Sequence, residues 1–380
     1  MNYLEIFGYL DIVVLGLFGL AILTQLTYYL IVYLRVTVRK EKQNATPENT
    51  MHPVSVIICA RNEEEHLVEN LTLILEQDYP EFEVIVVNDC SEDNIEQVLL
   101  GFKQKYPHLR STIIKKDGSF LNCRKFATTV GIRAAQYEHL LFTYADCRPR
   151  SNKWIASMSR QFVNKKDIVL GYTGYHPAKS LLNKWIRYDG IFAALQYFGF
   201  ALLGKAYTGT GRNLAYRKSI FLENSGFAVH AHILSDEDGL FVNKAAKKRN
   251  VAVTYIDDAH IKSQPIAKFK QWMWQKSKQI SSSRFYSFWQ SLGLTLEPLS
   301  RVIMWLSFIA ILIFCDFWEY ALIVFLLRML IYTLIFRAAC KKFKERGILQ
   351  YAVLFDFIMP FVHLYLFIIN RVFSRYSKWK

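Results

Sequence analysis

Carboxylates recur in this chain where they could hold a ligand or move a proton. The run "LLFTYADCRP" stops at Asp146, "FEVIVVND" stops at Asn88-Asp89, and "VSVIICARNEE" passes into Arg61-Asn62-Glu63. A fourth cluster, "LSDEDGLFVNKAA", sets Glu237 and Asp238 where a helical pattern begins. A single carboxylate can occupy one position on a divalent cation, which takes its other oxygens elsewhere. A carboxylate at a helix start can serve as a general base when it faces a cleft, or simply complement the helix dipole. The stretch "TGTGRNLAYRKS" (208–219) is rich in glycine, which permits close backbone approach to a ligand. No G-x-G-x-x-G follows the first apolar run and no G-K-[ST] loop occurs, which argues against dinucleotide and P-loop sites.

These clusters need elements to position them. Apolar runs alternate with helical patterns: "VSVIICA", "EEEHLVENLTLILEQ", "FEVIVVND", "SEDNIEQVLLGFKQ", "STIIKK", "RKFATTVGIRAA" and "HLLFTYAD". Such alternation predicts a mostly parallel sheet with helices on both faces. Ligands bind such sheets at the carboxyl ends of the strands. Three of the polar clusters fall at those ends.

The 380 residues carry a net charge of +15. Much of the positive charge flanks apolar segments: Arg35, Arg39, Lys40 and Lys42 after the first, and Arg337, Lys341, Lys342, Lys344 and Arg346 after the third. This placement fits the positive-inside bias and anionic headgroups, and no nucleic-acid recognition motif accompanies it. Residues 10–34, 302–318, 320–336 and 348–370 are apolar runs of a length suited to membrane crossing. The N-terminal run lacks the basic leader and small-residue cleavage site of a signal peptide. The six cysteines form no C-x-x-C pair or disulfide framework, which suits a reducing compartment.

In this order the motifs resemble glycosyltransferase family 2, the inverting nucleotide-sugar transferases of GT-A fold, over residues 53 to about 280. The flanking apolar runs resemble those of its membrane-bound members. "PVSVIICARNEEEHL" is similar to the family's opening strand and nucleotide loop, which implies nucleotide contacts at Ala60, Arg61, Asn62 and Glu63. "VVNDCSED" resembles V-D-D-x-S-x-D and implies that Asp89 meets the base or ribose. "CRKFA" is similar to G-K-x-x-A, with Lys125 at the lysine. "FTYADCRP" resembles T-D-A-D-x-x-P; Tyr144 stands at the first acid of D-x-D, with a hydroxyl for the ribose, and Asp146 stands at the metal contact. The resemblance implies Mn²⁺ or Mg²⁺ there, with His260 as a further ligand. "GTGRNLAYRKSIF" resembles the acceptor-side loop, bringing Gly211, Arg212 and Asn213 to the acceptor or diphosphate. "SDEDGLF" is similar to the G/T-E-D element and puts the catalytic base at Asp238, with Glu237 beside it. "QKSKQ" stands where many members have Q-x-x-R-W, so Gln275, Lys276 and Lys278 fall at acceptor or diphosphate positions. Asn88, Lys278 and Gln279 depart from the family pattern, as does Tyr144.

The expected fold class is therefore α/β, a GT-A nucleotide-diphospho-sugar transferase domain with a mostly parallel central sheet, flanked by transmembrane helices. The expected layout is a membrane helix over 1–36, a linker over 37–51, and a cytosolic GT-A domain over 52–280 with an interfacial segment at 181–203. An interfacial connector over 281–299 and a membrane region of two or three helices over 300–380 follow. The expected activity is metal-dependent, inverting transfer of a hexosyl-type sugar from a UDP- or GDP-sugar to a hydroxyl of a lipid or glycan acceptor. It would occur at the cytosolic face of a bacterial-type inner membrane, with membrane lipids as partners and nucleic acid excluded. A processive polysaccharide synthase and an inactive nucleotide-sugar-binding scaffold are the alternatives.

Overall fold

The computed structural model describes residues 3–40, 51–115, 124–163, 165–228, 237–316 and 318–372. Most of the expected linker, 41–50, lies outside them. The chain divides into two compact units. One gathers Met1–Arg39, Lys179–Gly199 and Ile266–Lys380, and the other Lys40–Ala178 and Phe200–Pro265.

The second unit is α/β. Its strands are β1 (Val54–Ala60), β2 (Phe82–Asp89), β3 (Leu109–Ile114), β4 (His139–Tyr144), β5 (Cys147–Pro149), β6 (Ile168–Gly171), β7 (Thr173–Tyr175), β8 (Leu214–Arg217), β9 (Val251–Thr254) and β10 (Ile261–Ser263). Seven form one sheet in the order β3-β2-β1-β4-β8-β6-β9. Only β8 runs against its neighbours, β4 and β6; the other pairs are parallel. Strands β1, β2 and β4 are almost wholly buried because helices cover both faces, which is why they read as unbroken apolar runs. A second sheet has the order β5-β10-β7.

Two contacts set how closely the layers pack. On helix Arg124–Ala134, a Cβ at Gly131 would lie 2.7 Å from Ile57 Cγ2 and 3.2 Å from Val87 Cγ2, so the helix meets β1 and β2 at a position only glycine fits without displacement. On helix Glu64–Leu75, buried Asn70 donates to the Ala145 carbonyl at 2.9 Å and accepts from Arg148 Nε at 3.2 Å. It thereby pins the turn from β4 into β5.

The first unit contains four helices that are long and apolar enough to cross a membrane: Asp11–Val38, Phe288–Phe314, Trp318–Lys342 and Leu349–Arg371. The expected connector over 281–299 is helical from Phe288, where Ser287 forms a capping box with Gln290, and the helix continues through Pro298. Between these helices Arg328 donates to Asp356 at 2.6 Å, to Gln25 Oε1 at 2.7 Å and to Tyr29 Oη at 2.6 Å. Arg301 pairs with Glu297 at 2.8 Å and meets Asp356 at 3.5 Å. Two cations and two anions balance each other in a setting where an unpaired charge is costly.

Helix Leu181–Leu202 belongs to this first unit over most of its length. Its three charged side chains, awkward for an apolar segment, each meet a partner there. Lys184 donates to Tyr351 Oη at 2.8 Å, Arg187 donates through Nε to Glu345 at 2.7 Å, and Asp189 pairs with Lys276 at 2.8 Å and His363 at 3.1 Å.

Candidate active site

The carboxyl ends of β1, β2 and β4 converge because these strands are parallel neighbours. The loops after β1 and β2 brace one another. Asn62, at a left-handed φ of 55°, donates its N–H to Ser91 Oγ at 3.0 Å and accepts the Glu92 N–H at 2.8 Å. Asn88 accepts the Ser91 N–H at 3.1 Å. The two asparagines therefore build the loops, and Glu63 is paired with His66. Buried Ala60 and exposed Arg61 complete the end of β1. Asp89 is buried, and burial pushes its carboxyl above the ordinary range while Arg61 and Arg124 oppose the shift.

Tyr144, at the end of β4, donates its hydroxyl to Asp238 Oδ2 at 3.3 Å. Asp238 lies in the first turn of helix Glu237–Ala245 and is 7% exposed. Its carboxyl is pushed up to about 6, first by burial and then by the charge of Glu237. Arg124, the Tyr144 hydroxyl and the Gly211 N–H act in the opposite direction. A Cβ at Gly211 would collide with the Asp238 carboxylate, so the close approach expected of the glycine-rich stretch is made to this side chain. Arg124 lies 3.3 Å from the Tyr144 ring centroid and 3.2 Å from Glu237 Oε1. A buried carboxylate titrating near neutrality and held by two donors has the protonation behaviour a general base needs.

Asp146 follows β4. Its Oδ2 accepts from Ser263 Oγ, and its Oδ1 lies 3.4 Å from Cys147 Sγ. Arg212 Nη1 donates to Tyr175 Oη at 3.1 Å, and the guanidinium also feels the Asp146 carboxylate. Its Cζ is 5.5 Å from the Tyr144 ring and 5.4 Å from that of Tyr175.

His260 is not brought to Asp146. Along the antiparallel β5–β10 ladder, Asp146 lies opposite Gln264 and Arg150 opposite His260, four residues further on, or about 13 Å at strand rise. Burial pushes the His260 imidazole down to about 4, its Nε2–H donates to the Tyr255 carbonyl at 2.9 Å, and its ring packs edge-on to Tyr172. It is a core residue. Among the described residues no three His, Cys, Asp or Glu side chains gather as a metal would require. The one expected ligand that remains, Asp146, is already bonded to Ser263 and lies within the Coulombic reach of Arg212. This donor set does not fit a resident Mn²⁺ or Mg²⁺.

The sequence profile of glycosyl transferase family 21 matches residues 18–380. The chain belongs to that family. It is a glycosyltransferase of the GT-A-like type, the architecture implied by the family 2 resemblance. The family 21 chain is 29% identical over 93 residues to the poly-beta-1,6-N-acetyl-D-glucosamine synthase of Staphylococcus epidermidis, covering 24% of this chain and 21% of that one. It is 33% identical over 98 residues to the poly(ribitol-phosphate) beta-N-acetylglucosaminyltransferase TarS of Staphylococcus aureus, covering 25% and 16%. The matches thus span about a fifth or less of these curated relatives. The mannosyltransferase PcManGT of Pyrobaculum calidifontis, solved in complex with GDP-Man and Mn²⁺, superposes with a TM-score of 0.60 at 15% identity, covering 91% of this chain and 98% of that one. That likeness is one of fold.

Several candidates have other employment in this family 21 chain. Asn213 donates to the carbonyls of Tyr172 and Ala259, both at 2.8 Å, and accepts from Trp154 Nε1 at 3.0 Å, so its side chain is a buried bracket. Lys125 is buried on the helix that carries Arg124, about 100° around from it. Gln275, Lys276 and Lys278 lie on helix Phe269–Ser282 of the first unit. There Lys276 pairs with Asp189 and the Lys278 ammonium stands 3.6 Å from the Trp274 ring centroid. Arg124, Tyr175 and Ser263 were not singled out in the sequence. Only Arg124 left a signal: a cation at the first position of a helix opposes the dipole, and such a conflict marks a residue placed for another reason.

Proposed function

We propose that this glycosyltransferase moves a sugar from a UDP- or GDP-sugar, with inversion, to a hydroxyl of a lipid or lipid-linked acceptor at the cytosolic face of a membrane. The observation that carries the reading is Asp238, a buried carboxylate with its acidity lowered to near neutrality, held by the Gly211 N–H and the Tyr144 hydroxyl. Asp238 takes the proton of the acceptor hydroxyl as that oxygen bonds to the anomeric carbon. The bond from that carbon to the diphosphate breaks in the same step, and the nucleoside diphosphate leaves. One displacement inverts the centre. Asp89, Arg61 and Ala60 line the nucleotide's place at the ends of β1 and β2.

The donor class draws support from the GDP-Man of the mannosyltransferase complex and the N-acetylglucosaminyl activities of the Staphylococcus relatives. The membrane acceptor draws on the four apolar helices, and the cytosolic side on the basic residues flanking them. The test is nucleotide release by the purified full chain, offered a panel of UDP- and GDP-sugars with and without membrane lipid extract. Release that depends on one sugar nucleotide and on lipid supports the reading. No release from any donor removes it.

A further inference from the structure

The lone carboxylate of Asp146 stands in an unusual electrostatic setting. Next to it, a neutral phenol at Tyr144 occupies the position for which the family resemblance implies a second acid. Near them lies Arg212, its Cζ 5.5 Å from the Tyr144 ring and 5.4 Å from that of Tyr175, within Coulombic reach of Asp146 but not in an ion pair with it. Relative to two acids, the phenol removes one negative charge and the arginine adds one positive charge. The sum is two positive charges, which is what a divalent cation would bring.

The arginine is also available to a ligand. Of its five N–H donors, one is given to Tyr175, and the buried Nε has no hydrogen-bond partner among the described residues. A buried guanidinium N–H without an acceptor is costly, and an oxyanion placed there would relieve it. The planar fork matches two phosphate oxygens, and aromatic rings on its flanks support a weakly hydrated guanidinium better than a hydrated metal ion.

We infer that Arg212 is a resident cation standing in for a divalent metal at Asp146, so that a nucleoside diphosphate binds this chain without Mn²⁺ or Mg²⁺. The inference rests on the glycosyltransferase reading of the site, and goes beyond it by naming what neutralises the diphosphate. It also accounts for the poor metal set: Asp146, bonded to Ser263, offsets the guanidinium charge instead of ligating an ion.

Calorimetric titration of the purified full chain with UDP and with GDP tests this, in chelator and in excess Mn²⁺. The expected result is that the tighter-binding nucleotide keeps its affinity in chelator to within about threefold, and that Arg212→Gln loses about 10- to 100-fold, the worth of a charged hydrogen bond. Arg212→Lys, which keeps the charge, should retain binding in chelator, and its thermal unfolding midpoint reports whether the site stays folded. Wild-type binding that vanishes in chelator and returns with Mn²⁺ overturns the inference and leaves the glycosyltransferase reading standing. So does unchanged affinity in folded Arg212→Gln. If neither nucleotide binds under any condition, the donor reading falls and the inference with it.

Discussion

The Tyr144 hydroxyl donates to Asp238 Oδ2 across 3.3 Å, joining the end of β4 to the first turn of helix Glu237–Ala245. The side chain that departs from the acidic motif is thus coupled to the candidate base, and its one proton is engaged there. A ribose hydroxyl could then meet Tyr144 only by donating to its phenolic oxygen.

Tyr144→Phe removes a donor that favours the ionised form of Asp238. The Asp238 carboxyl, already raised to about 6, should rise further. Since a general base works only when deprotonated, the acidic limb of the kcat/KM profile should move to higher pH. One hydrogen bond of 0.5–1.5 kcal/mol corresponds to about 0.4–1 pH unit. A limb that stays in place would mean that Tyr144 only packs.

Asp238→Asn should leave nucleotide affinity intact and reduce transfer by about 10²–10⁴-fold, the usual worth of a general base. Glu237→Gln should have a different signature. It removes a negative neighbour of Asp238 and the partner of Arg124, so the acidic limb should shift to lower pH with transfer retained. Should Glu237→Gln abolish transfer while Asp238→Asn keeps it, the two roles are reversed.

Gly211→Ala would drive a methyl group into the Asp238 carboxylate. The carboxylate must turn away and lose the Gly211 N–H, and a displacement of about 1 Å in a reacting group can cost on the order of 100-fold in kcat. Nucleotide titration and kcat measured together check this: affinity should hold while turnover falls. Near wild-type kcat would show that the approach is irrelevant to the chemistry.

Asn213→Ala separates a bracket from an acceptor ligand. It removes the acceptor of Trp154 Nε1 and the donor to the Ala259 carbonyl in a buried setting, at about 1–3 kcal/mol for each group, while the Tyr172 carbonyl keeps the Ile261 N–H. The expected outcome is a large drop in the thermal midpoint, with acceptor KM unchanged in the folded fraction. A raised KM with unaltered melting would restore the acceptor role.

Products should carry one added sugar or very few. Polymerising relatives of family 2 are expected to stack the acceptor on an indole face in Q-x-x-R-W. Here Gln279 offers none, Trp272 is buried against Trp185, and Trp274 has the Lys278 ammonium over its ring. Mass spectrometry of products made with excess donor decides it, and a ladder of long chains would refute the expectation.

Legibility followed the range of the interactions. Strands β1, β2 and β4 could be read because parallel strands buried on both faces form continuous apolar runs, and their polar ends show where each run stops. β8 could not. "LAYR" follows a glycine-rich loop, and only long-range pairing inserts it, reversed, between β4 and β6. His260 was expected as a further metal ligand, yet the register of a three-residue strand decides which neighbour it meets, and no local pattern encodes that. Lys125 and Arg124 were separable only by the rotation of a helix around its axis. The charges of 181–203 ruled out a simple span, but their partners lie far along the chain and are invisible to any window.

That distance has a consequence in time. Arg187 precedes Glu345 by 158 residues, and Asp189 precedes His363 by 174. At 5–20 residues per second, the helix Leu181–Leu202 waits roughly 8–30 s on the ribosome before Glu345 is made. Through that interval Arg187 has no permanent counter-ion in a segment that is otherwise apolar, whereas Asp189 meets Lys276 once that residue is made; water or lipid headgroups must shelter the guanidinium. A polypeptide stopped at residue 280 makes the wait permanent: it keeps the helix and lacks Glu345, Tyr351 and His363. A fragment ending at residue 280 is therefore a poor substitute for the longer chain, because the ion pair of Arg187 is completed only by Glu345.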